Sequence, residues 1–153
     1  MQIFSLKGTI HKTDGISSSR GAVVVLGFFD GVHRGHAELI KKAVSFASEA
    51  NAPVCVWTFF SLPKAERVLT TVDEKLDCLS PLGVDYAAVE DFSSVCELSP
   101  DAFFDSYLNK TFAPAAVFCG FNFRYGKDAA GDADSLRRRS EEYGIPCFVL
   151  PPF

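Results

Sequence analysis

An apolar run at residues 22–27 is followed, after a glycine-rich turn, by apolar residues at helical spacing up to about Ala50. The residues on that spacing are His36, Leu39, Ile40, Ala43, Val44 and Ala47. A strand that is apolar along its whole length is typical of a parallel sheet covered on both faces. This strand–helix pair therefore favours an α/β fold.

The same alternation of strand and helix continues along the chain. Further strands are predicted at residues 53–60, 85–89, 115–119 and 147–150, and helices at 72–82, 99–112 and 132–143. Ser99 marks a helix start, because a capping serine precedes a proline and an acid. Residues 1–21 are weakly patterned, and 120–131 are predicted to be a long loop. The pattern predicts a five-stranded parallel sheet with helices on both faces.

The length of 153 residues is close to the usual size of one domain, and no linker or internal repeat divides the chain. We therefore expect a single domain over residues 1–153. In an open parallel sheet, ligands bind beyond the carboxyl ends of the strands, where the strand order reverses. Segments 27–36 and 120–131 each follow a predicted strand, so both are expected at this edge of the sheet.

Segment 27–36 carries two histidines at a predicted helix start. The backbone N–H groups of a helix N-terminus lack partners and attract anions. His33 and His36 can donate hydrogen bonds to phosphate oxygens. Gly27, Gly31 and Gly35 leave room for a ligand to come close. The segment is therefore predicted to bind phosphate and to stabilise charge that builds on it during a reaction.

Two other interpretations of the histidines remain open. A histidine pair can bind zinc, although helical zinc pairs usually lie four residues apart with an acid nearby. Histidines can also be structural, with their nitrogen atoms hydrogen-bonded inside the protein. His11 stands alone in a predicted loop and is given no role.

Composition and charge limit the classes of partner that this chain is expected to bind. The net charge of −4 and the lack of a long basic run argue against nucleic acid as a principal partner. No apolar stretch is long enough to span a bilayer and no signal peptide is evident, so we expect no membrane association and a cytoplasmic location. The five cysteines are odd in number and lie far apart in the chain, which predicts buried thiols rather than disulfides or a zinc site.

Two motifs resemble one family. Residues 27–36 read G-x-F-D-G-V-H-x-G-H, which is similar to the first motif of the bacterial FAD synthetases, the FMN adenylyltransferase module of bifunctional riboflavin kinase/FAD synthetases. Residues 120–126 read G-F-N-F-R-Y-G, followed by A-G-D at 130–132, and resemble the family's second motif. The likeness covers residues 22–153 and implies a Rossmann-like fold of the HxGH nucleotidyltransferase superfamily.

The resemblance implies transfer of AMP from ATP to FMN, giving FAD and pyrophosphate, with Mg²⁺ on unknown ligands. The implied catalytic residues are His33, His36 and Asn122. The implied nucleotide-binding residues are Gly27, Phe28, Phe29, Gly31 and Gly35. The implied flavin-binding residues are Thr58, Phe123, Arg124 and Tyr125. From the residues alone, the aromatic and arginine side chains between the glycines of segment 120–131 could bind a flat ring and its phosphate. An ordinary surface loop anchored by aromatic side chains has the same composition.

The chain departs from the family at three places. Residues 58–63 read T-F-F-S-L-P where the family has T-F-D-P-H-P, and Phe28 replaces a frequent Asn. The chain ends at Phe153, before the family's S-S-[TS]-R-I-R motif and without a riboflavin kinase domain, so we expect a domain truncated at its C-terminus or a reduced protein. The segment I-S-S-S-R at 16–20 is either a displaced copy of that motif or a coincidence.

The sequence therefore predicts an enzyme, an FMN adenylyltransferase in which the FMN phosphate attacks the α-phosphorus of ATP in line. The rate enhancement is expected to come from positioning the two substrates and from stabilising the charge of the transition state, without a covalent intermediate. Two alternatives are kept: a nucleotide- or flavin-binding module without turnover, and a related nucleotidyltransferase with another phosphate acceptor.

Overall fold

The fold is built on one parallel β-sheet. The computed structural model of the chain describes residues 2–4, 21–27, 29, 34–61, 77–91 and 96–151. Its strands are β1 Gln2–Phe4, β2 Val23–Leu26, β3 Val54–Ser61, β4 Tyr86–Asp91, β5 Ala116–Gly120, β6 Arg124–Tyr125, β7 Gly131–Asp132 and β8 Cys147–Leu150. Six of them form the sheet in the order β1-β4-β3-β2-β5-β8, with every pairing parallel. The five predicted parallel strands are confirmed, and β1 adds a sixth strand at one edge.

Within the described ranges, three helices cover the sheet. They are α1 Arg34–Ala50, α2 over residues 100–112 and α3 Ala133–Glu142. Helix α2 consists of an α-helical turn Pro100–Ala102, a π-helix Phe103–Asn109 and a second α-helical turn Lys110–Phe112. Ser99 caps it as predicted, because its side chain accepts a hydrogen bond from the Ala102 N–H at 3.1 Å. Short 3₁₀ turns lie at Ser80–Leu82 and Lys127–Ala129.

The strand order reverses between β2 and β5. From β2 the chain proceeds to β3 and β4 on one side, and β5 and β8 then lie on the other side. Leu26, the last residue of β2, is opposite Trp57 of β3 and Cys119 of β5. The segments that follow β2 and β5 therefore leave neighbouring strands at the same edge, as the sequence predicted.

Each face of the sheet has its own apolar core, which confirms the prediction of helices on both faces. One core joins the sheet to α2 and α3 and contains Trp57, Phe103, Phe104, Tyr107 and Leu136. The other joins the sheet to α1 and contains Val23, Val25, Leu39, Ile40 and Phe118. The strands between them are buried from both sides, which is why they read as continuous apolar runs.

The structure corrects the prediction of a long loop over residues 120–131. Strands β6 and β7 pair antiparallel within that segment, with Arg124 opposite Asp132 and Tyr125 opposite Gly131. Each strand has two residues, which is too short to produce a period-2 pattern. The predicted helix at 72–82 is present in its described part as a helical turn at 77–79 and the 3₁₀ turn at Ser80–Leu82, and it ends at Gly83 with a φ of 97°.

The cysteines of the chain are free thiols that differ in burial. All five cysteines lie among the described residues, and none forms a disulfide there. Cys55 and Cys119 are buried as predicted, whereas Cys78 is exposed, because it lies on a helical turn at the surface rather than in a strand. In the described ranges, no helix has both the length and the apolar character needed to cross a membrane.

Candidate active site

The turn after β2 is packed by an aromatic ring. The Gly27 N–H donates to the Trp57 carbonyl at 3.1 Å and so extends the pairing of β2 with β3. Phe29 is buried and has a φ of 58°, in the left-handed region. A Cβ on Gly27 would lie 2.8 Å from the Phe29 ring. In this turn, glycine at position 27 is therefore required by the packing of Phe29 as well as by any approaching ligand.

His36 lies in the first turn of α1, directly against this packed turn. Its ring and that of Phe29 meet edge to face, with centroids 5.2 Å apart and an interplanar angle of 71°. His36 and Gly35 are both half-buried. The first turn of α1 contains no acidic residue, so within that turn no carboxylate opposes the positive end of the helix dipole. This helix start can attract an anion, with His36 placed beside it.

Several predicted site residues lie outside the described residues. They are Phe28, Gly31 and His33, together with the segment 16–20. Of the predicted phosphate-binding turn, the structure therefore describes Gly27, Phe29, Gly35 and His36. The roles assigned to the other residues stay predictions.

A tight turn follows β5 at the same edge of the sheet. The Phe123 N–H donates to the Gly120 carbonyl at 3.1 Å, which closes the turn over Phe121 and Asn122. Asn122 is exposed, and a Cβ on Gly120 would lie 3.4 Å from its Oδ1. The amide of Asn122 is therefore folded back over the end of β5. Because β5 is the neighbour of β2, this turn and the turn at Gly27 flank the point where the strand order reverses.

The hairpin β6–β7 separates the three predicted flavin-binding residues of this segment. Tyr125 is buried, and its ring packs so closely on Gly131 that a Cβ there would lie 2.5 Å from it. Phe123 stacks on Tyr125 with centroids 5.7 Å apart and an angle of 16°. Arg124 is exposed and Phe123 is half-buried. Phe123 and Arg124 thus present surface to a ligand, whereas Tyr125 supports Phe123 from below.

The N-terminus of α3 differs from that of α1. Asp132 is its cap: its Oδ1 accepts from the Ser135 N–H at 2.8 Å, and its own N–H donates to Ser135 Oγ at 2.9 Å. The hydrogen bond from the Ser135 backbone is the main reason why the pKa of Asp132 is held below its ordinary value. A permanent carboxylate therefore occupies the start of α3. Of these two helices at the candidate site, α1 is the one whose first turn carries no acidic side chain.

Two buried polar side chains lie in the carboxyl-terminal halves of β3 and β4. Thr58 is opposite Val89, and Glu90 is the next residue along β4. Trp57 Nε1 donates to the Tyr107 hydroxyl, which is also hydrogen-bonded to Glu90. Burial and the nearby Glu90 charge raise the pKa of Tyr107, so this hydroxyl remains protonated. Sequence reasoning missed Glu90, and the available signal was a pair of acids, Glu90 and Asp91, at the end of an apolar strand.

The fold and this edge of the sheet define a Rossmann-like nucleotidyltransferase domain of the α/β class. It has a parallel sheet with a reversal of strand order, and beside that reversal it has a helix whose first turn carries a histidine and no acidic residue. Comparison with known proteins specifies the family. The model of the FAD synthetase family matches residues 15–153, and the chain belongs to this family.

Individual relatives agree with this assignment. The chain is 36% identical over 128 residues to a bifunctional riboflavin kinase/FMN adenylyltransferase of Listeria monocytogenes, which covers 78% of this chain and 40% of that protein. It is 34% identical over 133 residues to the protein of the same name from Escherichia coli K12, and this match covers 82% of this chain and 42% of that protein. The chain thus spans less than half the length of these two relatives.

A solved structure shares the fold. A crystal structure described as a macrolide-efflux protein from Streptococcus pneumoniae matches 99% of this chain and 50% of its own, with a TM-score of 0.80 and 27% identity. The match extends over the whole arrangement of strands and helices described above.

Proposed function

We propose that this chain is an FMN adenylyltransferase, which transfers AMP from ATP to FMN and forms FAD and pyrophosphate. The observation that carries the proposal is the pairing of two turns at the strand reversal. One turn leads into the first turn of α1, which carries His36 and no acidic residue, and the other contains Gly120 and Asn122. One turn suits the phosphates of a nucleotide, and the other lies where an acceptor would meet them.

In this reaction the triphosphate of ATP lies against the start of α1. His36 donates a hydrogen bond to a phosphate oxygen, together with His33, and offsets the negative charge that grows during transfer. Asn122 holds the reacting phosphate from the other side. The phosphate of FMN attacks the α-phosphorus in line, so the reaction depends on position and charge and needs no protein nucleophile.

The remaining site residues have supporting roles in the proposal. Gly27, Phe28, Phe29, Gly31 and Gly35 form the nucleotide side of the site. On the flavin side, Phe123 and Arg124 face the ligand, and the buried Thr58 and Tyr125 support them from within. Arg124 is exposed and can pair with the FMN phosphate, while the exposed part of Phe123 offers a flat surface to the flavin ring.

Mg²⁺ is proposed to arrive with ATP. In the part of the chain that the structure describes, no group of three histidine, cysteine or acidic side chains is arranged to hold a metal ion. Magnesium that is bound mainly by substrate phosphates and water needs only one or two carboxylates from the protein, so the residues present are compatible with it. When bound, it would neutralise phosphate charge.

We also propose that residues 1–153 form one domain, that ATP and FMN are its partners and that it acts in the cytoplasm. The net charge of −4 gives no electrostatic attraction to nucleic acid.

The test is FAD formation by the purified, folded chain from FMN, ATP and Mg²⁺, followed by chromatography. Titration calorimetry with FMN and with ATP runs in parallel. We expect FAD and pyrophosphate in equal amounts. Binding of both ligands without turnover would contradict the enzyme and favour a binding module, and turnover only with another phosphate acceptor would favour a related nucleotidyltransferase.

A further inference from the structure

Cys119 and Cys147 lie side by side on neighbouring strands. In the pairing of β5 with β8, Val117 is opposite Cys147 and Cys119 is opposite Val149, so the two cysteines are diagonal neighbours. Because residues two apart in a strand point the same way, both thiols lie on the face covered by α2 and α3. The two thiols are hydrogen-bonded to each other. They belong to no part of the site described above.

The two thiols differ in their access to solvent. Cys119 is fully buried, whereas Cys147 is half-buried on β8, the last strand of the sheet. A small solute that approaches the β8 edge of the sheet therefore reaches the half-buried Cys147 before it reaches the fully buried Cys119.

The surroundings of Cys147 favour its thiolate form. The hydrogen bond from Cys119 is the largest cause that lowers the pKa of Cys147. Ser140 and the charge of Arg137 also lower it, whereas burial and the charge of Glu141 raise it, and the net effect is a lowered pKa. The same hydrogen bond and burial raise the pKa of Cys119. Ser140 Oγ is fully buried and, within the described residues, makes no hydrogen bond of ordinary geometry. A thiolate on Cys147 would give this hydroxyl an acceptor.

From this geometry we propose that Cys119 and Cys147 form an oxidisable dithiol site, which a hydroperoxide converts into a disulfide between β5 and β8. The Cys147 thiol first releases its proton, and the thiolate attacks one peroxide oxygen; the S–O bond forms, the O–O bond breaks, and the leaving oxygen takes up that proton and departs as water or an alcohol. The Cys119 sulfur then attacks the sulfur of the sulfenic acid. The S–S bond forms, the S–O bond breaks, and the hydroxyl leaves as water with the Cys119 proton. Two electrons pass from the two thiols to one peroxide.

The backbone can accommodate this bond. Diagonal neighbours in a sheet have Cα atoms about 7–8 Å apart, and a disulfide needs roughly 4.4–6.8 Å. Within the described residues β8 pairs with β5 alone, so a shift of this edge strand closes the gap without breaking a second strand pairing. Cys55 provides the contrast: it is fully buried in β3, and burial raises its pKa to about 12. Its thiol should therefore stay reduced under the same treatment.

The experiment uses the full chain, reduced and then treated with hydrogen peroxide near one equivalent. Remaining thiols are alkylated, and the protein is digested and analysed by mass spectrometry without reduction. We expect a peptide pair linked through Cys119 and Cys147, with the loss of two hydrogen atoms. Cys78→Ser, the matched control at an exposed cysteine, should form the same link.

Variants at each thiol separate the two steps. Cys147→Ser should lose the link and leave Cys119 reduced. Cys119→Ser should leave a sulfenic acid on Cys147, which a 1,3-dione reagent traps. Circular dichroism checks that each variant is folded, and alanine variants replace any that is not. Two results would overturn the proposal: folded wild-type protein in which Cys147 stays reduced while Cys78 is oxidised, or one in which Cys147 is oxidised further with no link to Cys119.

Discussion

The Tyr107 hydroxyl accepts a hydrogen bond from Trp57 Nε1 at 3.0 Å, although the two residues are 50 positions apart in the chain. Glu90 interacts with the same hydroxyl, and all three side chains are buried. Phe103 stacks on Tyr107 with centroids 5.5 Å apart and an angle of 16°. This cluster ties the π-helical part of α2 to the carboxyl ends of β3 and β4.

Replacing Tyr107 tests how much this tie contributes. In Tyr107→Phe the ring and its stacking remain, but the Trp57 N–H and Glu90 each lose a buried partner. We expect the free energy of unfolding to fall by about 1–3 kcal/mol. Urea unfolding followed by fluorescence measures it, because Trp57 is the single tryptophan. The matched control, Tyr143→Phe at an exposed ring, should change stability by less than about 0.5 kcal/mol. Equal effects of the two variants would show that the hydroxyl of Tyr107 has no special role.

A second prediction concerns the hairpin beside the candidate site. Gly131→Ala places a Cβ 2.5 Å from the Tyr125 ring, so the ring or the strand must move. We expect a loss of about 1–3 kcal/mol, measured by thermal unfolding. In the control, Gly120→Ala, the nearest atom is Asn122 Oδ1 at 3.4 Å, an ordinary contact. If Gly131→Ala were as stable as the wild type, the Tyr125 ring would not be fixed as described.

The third prediction separates the hydrogen bonding of His36 from its packing. His36→Phe keeps an aromatic ring against Phe29 but removes both ring nitrogens. If the proposed function holds, kcat for FAD formation should fall by about 100-fold or more, while thermal unfolding changes little. His36→Ala removes the ring as well and should add a loss of stability. Wild-type turnover in folded His36→Phe would contradict a phosphate-binding role for His36.

The fourth prediction is a pH dependence of stability. Arg139 donates to Asp105 through Nε at 3.1 Å and also through Nη2, and these bonds hold the pKa of Asp105 below its ordinary value. Because the folded pKa is lower than the unfolded one, the pair stabilises the protein fully above the unfolded pKa of about 4, and this contribution disappears as pH falls through the folded pKa. The wild type should be more stable than Asp105→Asn at pH 7.

Urea unfolding of both proteins between pH 7 and pH 2 measures this difference. It should stay constant down to about pH 5 and shrink below that. The exposed pair of Arg137 with Asp134 offers a control, since Asp134→Asn should show little difference at any pH. A wild-type advantage that persists unchanged at pH 2 would assign the effect to packing instead of charge.

The sequence predicted the sheet well, because its central strands are buried on both faces and so appear as apolar runs. The sequence did not predict β1, because this strand, Gln2–Phe4, has only three residues. It pairs in parallel with β4. The sequence missed the hairpin because β6 and β7 have two residues each. Periodicity needs longer stretches than these.

At the site, local motifs placed His36 and Asn122 at the correct edge of the sheet. They did not reveal that Tyr125 is buried against Gly131, because that contact depends on how the hairpin folds back. They also did not reveal Glu90, whose partner Tyr107 lies on a helix that follows much later in the chain. Such contacts depend on tertiary packing, which spacing along the chain does not record.

The π-helix Phe103–Asn109 constrains how the length of this chain can change. Its hydrogen bonds span five residues instead of four, so the segment holds more chain per turn than an α-helix. Deleting one residue there would restore ordinary α-helical hydrogen bonds and leave the later residues of α2 on their present faces, whereas a deletion in a regular α-helix turns every later residue by about 100°. Phe112, which is fully buried, would stay in the core. Related chains can therefore lose one residue in this segment more readily than in the regular helices α1 and α3.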